Sequence, residues 1–488
     1  MSASLRLSPA NGAEWREAAR LLAAGEATLM SLWGDEGRMR MALRQASGAF
    51  LFVEAACEDG SFPSVAAVHA PADRLERAAC DLFGFTALEA ADKRRWLDHG
   101  RWPLRHPLGQ PVPHDGAPDA YPFLKAEGEG LHQIPVGPVH AGIIEPGHFR
   151  FHAGGEAVVR LEERLGYVHK GVDRLMRGAN LERGGVLAAR VSGDSTVAYG
   201  VAFARAVEAA LGIEAPPRAH GLRGLMAELE RIANHFGDIG AVCNDAAFAL
   251  MHAHCGILRE RTLRTAKAAF GHRLMMDAVV PGGVAVDLTS EGAETIRALV
   301  RHVRTTFPSL VQLYDNTASL QDRTVGTGVL DADLARRFGV GGVVGRASGR
   351  DFDARRDCPY PPYDAMSFKV PIRRAGDVNA RIWVRIEEVG ESLDLIETML
   401  LRLSGGPVRA TLASPGGACE SFALIEAFRG DVFAHVRLAD DGLVARCHLR
   451  DASWFQWPLL EAAIEGNIVA DFPLCNKSFN CSYSGCDL

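Results

Sequence analysis

The chain has 488 residues, 48% of them hydrophobic, and a formal net charge of −7, which is typical of a globular protein of two or three domains. The acidic balance and the lack of any stretch dense in Lys and Arg exclude a nucleic-acid-binding surface. No window approaches about eighteen unbroken apolar residues, and residues 1–22 lack the apolar core of a secretory signal. We therefore expect a cytoplasmic protein whose ten cysteines are buried thiols or ligands rather than disulfides.

Residues 1–108 are predicted to form a small α/β domain. A helical stretch, WREAARLLAAGEATLMSLW (15–33), precedes two strand-like segments, GAFLFVEAA (48–56) and SVAAVHAP (64–71). Four prolines then mark 109–133 as a linker, because proline interrupts helices and sheet cores. Residues 134–488 are predicted to form a large, mainly helical-bundle domain with β embellishments, so the expected fold class is α+β.

Within the larger domain, HFRFHAGGEAVVRLEE (148–163) predicts a hairpin or a strand pair. Apolar residues recur at threes and fours along most of the helical segments. Helices are expected at 194–212, 222–270, 290–314, 386–403 and 456–466. We expect irregular strands and loops over 320–380 and a small antiparallel section over 407–450.

Several motifs suggest chemistry only weakly. The glycines of FGVGGVVG (338–345) miss the dinucleotide-binding spacing and are predicted to be turn glycines. His252 and His254 point away from each other on a helix and cannot bind one ion together. The segment RDFDARRD (350–357) is either a solvated charge cluster or the lining of a cleft. The tail cysteines, with their C-x5-C-x4-C spacing, match no structural zinc pattern.

Longer segments carry a resemblance to known families. They are GPVHAGIIEPGHFRFHAGGEAVVRLEERLGYVHKGVDRLM (137–176), DRTVGTGVL (322–330), RASGRDFDARRDCPYPPYD (346–364) and EAFRGD (426–431). With these motifs the chain resembles the large subunit of energy-converting, formate hydrogenlyase-type nickel–iron hydrogenases and the quinone-pocket subunit of complex I. LERAACDLFGF (75–85) and RWPLRHPL (101–108) resemble the peripheral subunit of complex I, which formate hydrogenlyase-type hydrogenases carry fused in this order.

The resemblance implies a nickel–iron site held by four cysteinates, two near the start of the bundle and two at the C-terminus. Here those positions align with Ser192 and Ser195, and with Ser482 and Gly485. A neutral hydroxyl is a poor substitute for a thiolate on a low-valent metal. Cys481 and Cys486 each lie one residue away from an aligned position. We therefore expect no nickel–iron centre, and Cys481 is the thiol best placed to contradict that expectation.

The complex I resemblance also implies a quinone-headgroup histidine at His148. The second headgroup donor, a tyrosine in that family, aligns with Gly193. Ser192 and Asp194 are alternative hydrogen-bonding groups, and Asp194 would carry protons if its pKa were raised. A bound quinone is therefore an open expectation rather than a derived one.

Charged side chains are expected to line the cavity beside an iron–sulfur subunit. The set carried over from the families comprises Glu145, His148, Arg190, Asp194, His235, Arg323, Asp353, Arg355 and Glu387. From this set we expect His148, Arg190, Asp194, Asp353 and Arg355 to be catalytic, and His148 and Asp194, with Ser192, to bind a quinone. Two interpretations stay open: the charges hold inter-subunit geometry, or they form a redox-linked proton pathway.

The sequence thus predicts the large subunit of a membrane-associated electron-transfer complex without a nickel–iron centre. It would couple electron transfer to ion translocation. The electrons would pass to quinone or along an NAD(P)H-linked respiratory chain. Expected partners are an iron–sulfur small subunit, a ferredoxin-like subunit and antiporter-like membrane subunits, on the inner face of the cell membrane. The iron–sulfur clusters would lie in those partners and no cofactor in this chain. The alternatives are an active nickel–iron hydrogenase with altered ligands and an inert structural subunit.

Overall fold

The structure is a computed structural model that describes residues 12–118, 120–141 and 144–488. Three parts of the sequence predictions lie outside the described residues: the segment 1–11 used to judge a secretory signal, residue 119 of the predicted linker, and residues 142–143 of the 137–176 motif. Along the described residues, no helix combines the length and the apolar character needed to cross a bilayer.

Fifteen α-helices lie in the described part of the chain. In chain order they are α1 (Gly12–Ala23), α2 (Asp73–Phe83), α3 (Val172–Met176), α4 (Leu181–Ala189), α5 (Thr196–Leu211), α6 (Pro217–Asp245), α7 (Ala249–Phe270), α8 (Ser290–Asn316), α9 (Ala318–Thr324), α10 (Ala332–Arg337), α11 (Gly342–Ala347), α12 (Ala354–Asp357), α13 (Val378–Arg402), α14 (Ser453–Ala463) and α15 (Phe472–Phe479).

The strands form several small sheets. In chain order they are β1 (Ala27–Asp35), β2 (Arg38–Gln45), β3 (Phe50–Ala56), β4 (Ser61–Pro63), β5 (Thr86–Leu88), β6 (Leu104–Arg105), β7 (Val112–Pro113), β8 (Leu131–Val136), β9 (His148–Gly154), β10 (Ala157–Arg164), β11 (Val279–Val280), β12 (Gly283–Val284), β13 (Cys419–Ala427), β14 (Gly430–Leu438) and β15 (Val444–Arg450). The three largest are the antiparallel meanders β1–β2–β3, β8–β9–β10 and β13–β14–β15.

The predicted helix over 15–33 is wrong beyond Ala23, since 27–35 is strand β1. This strand pairs with β2 from Ala27 opposite Gln45 to Asp35 opposite Arg38. Nearly all of its residues are buried, so both faces are covered and the period-two alternation of a half-exposed strand is lost. The predicted strand over 64–71 is also wrong: turns occupy it, and Val65 N donates to the Glu76 carboxylate of α2 (2.5 Å).

The helical bundle follows the prediction closely. The helical segments predicted at 194–212, 290–314, 386–403 and 456–466 are confirmed as α5, α8, α13 and α14, and 222–270 splits into α6 and α7. The split falls where Ala247 adopts a left-handed conformation (φ 62°). The expectation of strands over 320–380 is wrong, because short helices (α9 to α12) and loops fill that range. The hairpin β9–β10 and the antiparallel section within 407–450 are confirmed.

The N-terminal sheet packs directly on the C-terminal sheet. Trp33 of β1 stacks on His448 of β15 with ring centroids 5.1 Å apart, and Arg450 Nε donates to Met30 O (2.7 Å). Buried residues of both sheets belong to one hydrophobic cluster that contains Met30, Phe52, Leu424 and Phe433. The α+β fold class is confirmed, while the boundary at 108 and the linker at 109–133 stay predictions.

Candidate functional site

The four positions aligned with the nickel–iron ligands lie close together in the structure. Ser192 and Ser195 follow α4, and Ser482 and Gly485 follow α15 at the C-terminus. Ser482 Oγ donates to Ser192 Oγ (3.4 Å) and accepts from Gly485 N (2.9 Å). We call the group formed by Ser192, Asp194, Ser195, Arg429, Ser482 and Gly485 the tail site.

An ion pair occupies the centre of the tail site. Arg429 Nη2 and Nη1 donate to the two Asp194 carboxylate oxygens (2.5 and 3.0 Å), and Nη1 also donates to Ser195 Oγ (3.0 Å). Ser192 Oγ donates to Asp194 Oδ1 (2.7 Å). Burial alone would raise the pKa of Asp194, but the Arg429 guanidinium outweighs it and lowers the pKa to about 2. Asp194 is therefore a fixed anion at neutral pH, which does not meet the raised-pKa condition for proton carriage.

The donor atoms of the tail site do not fit a four-thiolate metal centre. Three of the aligned positions offer hydroxyls and the fourth offers no side chain, and a Cβ at Gly485 would lie 2.8 Å from Asp451 Cγ. The neighbouring thiol of Cys481 donates to Gln456 Oε1 (3.8 Å). Burial raises the pKa of Cys481 and Cys486 well above the usual thiol value, which favours neutral thiols over the thiolates a soft metal requires.

His148 is the first residue of β9. Its Nδ1 lies 3.4 Å from Gly137 O, and its Nε2 accepts from Arg150 Nε (3.3 Å). Burial lowers its pKa, so the ring is neutral at pH 7 with Nδ1 as the donor. Among the described residues, no hydrogen bond or ion pair joins His148 to Asp194 or Ser192, and Gly193 is exposed.

Asp353 and Arg355 lie in a buried ionic cluster rather than in an open cleft. Arg355 Nη2 donates to Asp353 Oδ2 (2.7 Å), and its Nη1 donates to Glu228 Oε1 of α6 (2.9 Å). The side chains of these three residues are 2% exposed or less. The outer charges of the same segment differ, since Asp351 and Arg356 pair at the surface. The segment 350–357 is thus half surface cluster and half buried core.

Further ion pairs extend this cluster across the bundle. Arg346 Nε donates to Glu388 Oε1 (2.8 Å) and its Nη1 donates to Glu426 Oε1 (2.8 Å), and His235 Nε2 lies 2.8 Å from Glu388 Oε2. We call the whole set the charge network; its members are Glu228, Arg231, His235, Arg346, Asp353, Arg355, Glu388 and Glu426. Four carboxylates face three guanidiniums, so one negative charge stays uncompensated when the histidine is neutral.

Among the four carboxyls of the charge network, Glu426 is the one whose pKa is raised. Burial and the neighbouring Asp353 raise the pKa of Glu426 to about 7. The pKa of Glu388 shifts in the opposite direction. Burial opposes its ionisation, yet Arg346 and His235 hold its pKa well below the usual value. Burial lowers the pKa of His235 despite its contact with Glu388. Glu426 is therefore the network carboxyl able to gain and lose a proton near neutral pH.

The remaining predicted residues do not converge on either group. Arg190 forms a two-pronged ion pair with Asp277 in which both side chains are 40% or more exposed. Arg323 pairs with Asp471, and Glu387 pairs with Arg373, so its neighbour Glu388 is the network member. Glu145 does approach the tail, where its carboxylate accepts from Ser484 N (3.3 Å).

Sequence reasoning missed the residues that join these groups. Arg429 and Glu426 both lie in EAFRGD, a quoted motif in which neither was singled out. A second signal lay in α6, where Glu228, Arg231 and His235 are spaced by three and four and therefore share one helix face. Among the described residues, no cluster of three or more His, Cys, Asp or Glu side chains has the arrangement of a metal site.

Comparison with protein families identifies both parts of the chain. Residues 12–118 match the family described as "Respiratory-chain NADH dehydrogenase, 30 Kd subunit", and residues 245–416 match "Respiratory-chain NADH dehydrogenase, 49 Kd subunit". The chain is 32% identical over 450 residues to formate hydrogenlyase subunit 5 of Escherichia coli, covering 89% of this chain and 78% of that protein. The chain belongs to the complex I and hydrogenase large-subunit family.

Other members of the family span both kinds of enzyme. The carbon monoxide-induced hydrogenase of Rhodospirillum rubrum is 31% identical, covering 71% of this chain and 96% of that protein. An NADH-quinone oxidoreductase subunit of Syntrophobacter fumaroxidans is 31% identical, covering 72% of this chain and 94% of that protein. A chain of the membrane-bound sulfane sulfur reductase, an archaeal respiratory membrane complex, has the same fold (TM-score 0.69, 25% identity, 74% of this chain and 99% of that chain). This family member is accordingly an oxidoreductase subunit of a membrane-bound, multi-subunit complex.

Proposed function

We propose that this large subunit works without a nickel–iron centre and couples electron arrival near the tail site to proton movement through the charge network. The observation that carries the proposal is the ion pair between Asp194 and Arg429, which stands among the aligned ligand positions. Hydroxyls and a fixed salt bridge replace the soft, polarisable donors that nickel and iron require. The site is thus built from permanent charges and hydrogen bonds.

The segment EAFRGD (426–431) connects the tail site to the charge network. Glu426 belongs to the network, and Arg429, three residues later, belongs to the tail site. Arg231 of the network donates to the backbone oxygens of Glu426 (3.0 Å) and Ala427 (3.2 Å). Gly342 packs so tightly on this turn that a Cβ would lie 1.8 Å from Arg429 O. The turn is held rigidly, so the tail site and the charge network keep a fixed separation across it.

The coupling follows from Coulomb's law. A negative charge that arrives near the tail site attracts Arg429 away from Asp194 or raises the local negative potential. Either change favours the protonated form of Glu426, whose pKa of about 7 leaves it responsive at physiological pH. The charge network then takes up a proton at Glu426 when a negative charge stays near the tail site. This is the redox-linked pathway rather than the purely structural interpretation of the same charges.

The partners and the acceptor follow the family. We infer an iron–sulfur small subunit and a ferredoxin-like subunit that supply electrons, and antiporter-like membrane subunits that move ions, with this chain on the inner face of the membrane. Relatives are named for quinone and for sulfane sulfur, so either acceptor is compatible with the fold. A quinone carbonyl accepts hydrogen bonds, so a quinone at His148 would have to take Nδ1–H from Gly137 O, or displace Arg150 from Nε2 with the ring in its other tautomer.

The proposal is tested with Asp194→Asn and Glu426→Gln in the purified complex. The measurement is electron transfer from NADH or reduced ferredoxin to a soluble quinone analogue by the complex in vesicles, with proton uptake beyond the protons consumed by quinone reduction followed by a pH-indicating dye. We expect Glu426→Gln to lose this additional proton uptake while electron transfer continues, and Asp194→Asn to lower both. Asp394→Asn makes the same chemical change in an exposed ion pair with Arg304 and serves as the control. Unchanged electron transfer and proton uptake in both test variants would establish an inert scaffold instead.

A further inference from the structure

A charged cavity lies where the N-terminal unit meets the hairpin β9–β10 and helix α14. Its volume is about 410 Å³, and its walls come from α2, β10 and α14, with Tyr121 and Leu124 beside them. Neither the tail site nor the charge network contributes to its lining. The cavity is thus separate from both groups described above.

Two carboxyls on this cavity share a single cation. Arg74 Nη1 donates to Glu163 Oε1 (2.7 Å), and Arg74 Nη2 lies 2.9 Å from Glu461 Oε1. Glu461 Oε1 also accepts from Glu163 N (2.7 Å). The side chain of Glu163 has no solvent exposure, and its Oε2 has no hydrogen-bond partner among the described residues. If both carboxyls were ionised, the buried Glu163 and the 22% exposed Glu461 would place two negative charges beside one positive charge.

The other charges around the cavity do not correct this imbalance. Arg77 forms ion pairs with Asp73 (3.2 Å) and Asp92 (3.0 Å). Arg94 forms ion pairs with Asp92 (2.6 Å) and Glu162 (2.5 Å). Arg160 donates to Lys125 O (2.8 Å), and Glu465 adds a further acidic group at the exposed rim. One bound proton balances the pair, because two like charges in a low dielectric cannot both stay ionised beside one cation.

We propose that Glu163 and Glu461 hold one proton between them and take it from this cavity, which makes the pair the proton entrance of the subunit. Burial and the mutual repulsion of the two carboxyls raise the pKa of Glu163 well above its ordinary value, and burial raises the pKa of Glu461 as well. The inference rests on the proposed function for the destination of the proton.

The position of the pair suits proton delivery toward the tail site. The charge on Glu163 acts on Cys481, adding to the burial that raises the pKa of that thiol. Cys481 donates to Gln456, and Gln456 Nε2 donates to Arg429 O (2.7 Å), so α14 links the pair to the tail site. Trp457 of the same helix donates to Ser482 O (3.1 Å). The pair thus lines the cavity and also acts electrostatically on Cys481, the residue before Ser482 of the tail site.

Infrared spectroscopy of the purified full-length chain tests the pair by itself. We expect a protonated-carboxyl band in the wild-type-minus-Glu163→Gln difference spectrum at pH 7, and the same band in the wild-type-minus-Glu461→Gln difference spectrum. The lone carboxyl in each variant then ionises against Arg74. Glu465→Gln, a neutralisation at the exposed rim of the same cavity, gives no such band in its difference spectrum. The absence of the band from the difference spectrum of either folded single variant overturns the shared proton.

Turnover of the intact complex tests the role as an entrance. With the dye assay above, Glu163→Gln is expected to lose turnover-linked proton uptake, whereas Glu465→Gln behaves as wild type. Proton uptake equal to wild type in Glu163→Gln overturns the entrance. If Glu426→Gln and Asp194→Asn leave uptake unchanged while the infrared result holds, the proposed function fails and the proton-sharing pair stands.

Discussion

Asp194 and Arg429 form the pair on which the tail site depends at the scale of single residues. Arg429 is 7% exposed, whereas the Asp194 side chain is 34% exposed. Breaking the pair therefore costs more free energy at the guanidinium than at the carboxylate, because the guanidinium has less access to water. Hydroxyl groups at 192, 195 and 482 complete the hydrogen bonds without adding charge.

Replacing Asp194 with Asn is expected to lower the free energy of unfolding by about 1–2 kcal/mol, less than the about 3–5 kcal/mol of a fully buried pair, since the carboxylate is one-third exposed. Urea unfolding of the purified chain gives the value. Asp394→Asn, in an exposed pair, is the control and should change stability by less than about 0.5 kcal/mol. An equal effect of the two substitutions would contradict the central role of the ion pair.

The raised pKa of Glu426 predicts a specific dependence of folding stability on pH. Its pKa is raised to about 7 in the folded chain from an ordinary 4.5, so the folded state binds this proton more tightly than the unfolded state does. The stability that this proton contributes is complete below pH 4.5 and is lost as pH rises through about 7. Glu426→Gln removes this loss, so the variant should gain stability relative to wild type between about pH 5 and 8.

The control for that experiment lies on the same strand. Burial opposes ionisation of Glu420, but His435 and Arg40 outweigh it and lower the pKa of Glu420 to about 2. Both its folded and unfolded pKa values then lie below the tested range, so the effect of Glu420→Gln should be constant from about pH 5 to 8. Urea midpoints at a series of pH values measure both. A constant difference for Glu426→Gln as well would show that Glu426 is ionised throughout.

At the scale of elements, helices α6 and α13 carry polar stripes into the core. Glu228, Arg231 and His235 share one face of α6, and Arg385, Glu388 and Ser392 share one face of α13. Ser392 Oγ donates to Glu228 (2.6 Å), which joins the two stripes. Such a core is costly to bury and is stable only while every charge keeps its partner.

Arg355→Met is expected to destabilise the chain by about 3–5 kcal/mol, because it leaves Asp353 and Glu228 without their shared cation in the core. The next residue gives a matched control: Arg356 pairs at the surface with Asp351 and Asp357, and Arg356→Met should cost under about 1 kcal/mol. Thermal and urea unfolding of both variants provide the comparison. Similar losses for the two arginines would mean that the charge network adds little to stability.

The sequence predicted long elements well and short ones poorly. Helices α5 to α8 and α13 have periodic apolar faces over four turns or more, so their pattern is unambiguous. Strand β1 is buried on both faces, and its run of apolar residues reads equally well as a helix. The helices between 318 and 357 span seven residues or fewer, too short for a periodic signal.

The candidate site was predicted only in part, for a related reason. Family motifs located Ser192, Asp194 and the aligned tail positions, because those residues stand at fixed places in a recognisable pattern. Arg429 and Glu461 lie far along the chain from the groups they contact, and only the folded chain shows those contacts. Contacts made in the folded chain also decide the pKa direction: the sequence left the pKa of Asp194 open, and the contact with Arg429 lowers it although burial alone would raise it.

At the scale of the whole molecule, the N-terminal unit is joined to the bundle by a shared interior. Arg40 pairs with Glu420 (2.5 Å), Arg437 pairs with Asp35 (2.7 Å), and Ser31 Oγ lies 2.7 Å from His448 Nε2. Together with the aromatic contacts of Trp33, these interactions cross between β1–β2 and the C-terminal sheet. The proton-sharing pair also lies at the junction, since Arg74 belongs to the N-terminal unit.

Differential scanning calorimetry is expected to show one cooperative unfolding transition for the full chain, because the buried residues of the N-terminal unit belong to clusters that also contain residues of the larger unit. Phe433→Ala, which removes a fully buried ring from the shared cluster, should lower the midpoint without splitting the transition. Two well-separated transitions in the wild type would show that the units unfold independently.

The central proposal is that a protein charge site stands at the positions that align with nickel–iron ligands. Metal analysis of the complex purified from its native membrane, grown with nickel present, tests it most directly. We expect iron at the level of the iron–sulfur partners, nickel far below one atom per chain, and no hydrogen uptake. One nickel per chain together with hydrogen uptake would contradict the claim and identify an active hydrogenase with an altered ligand set.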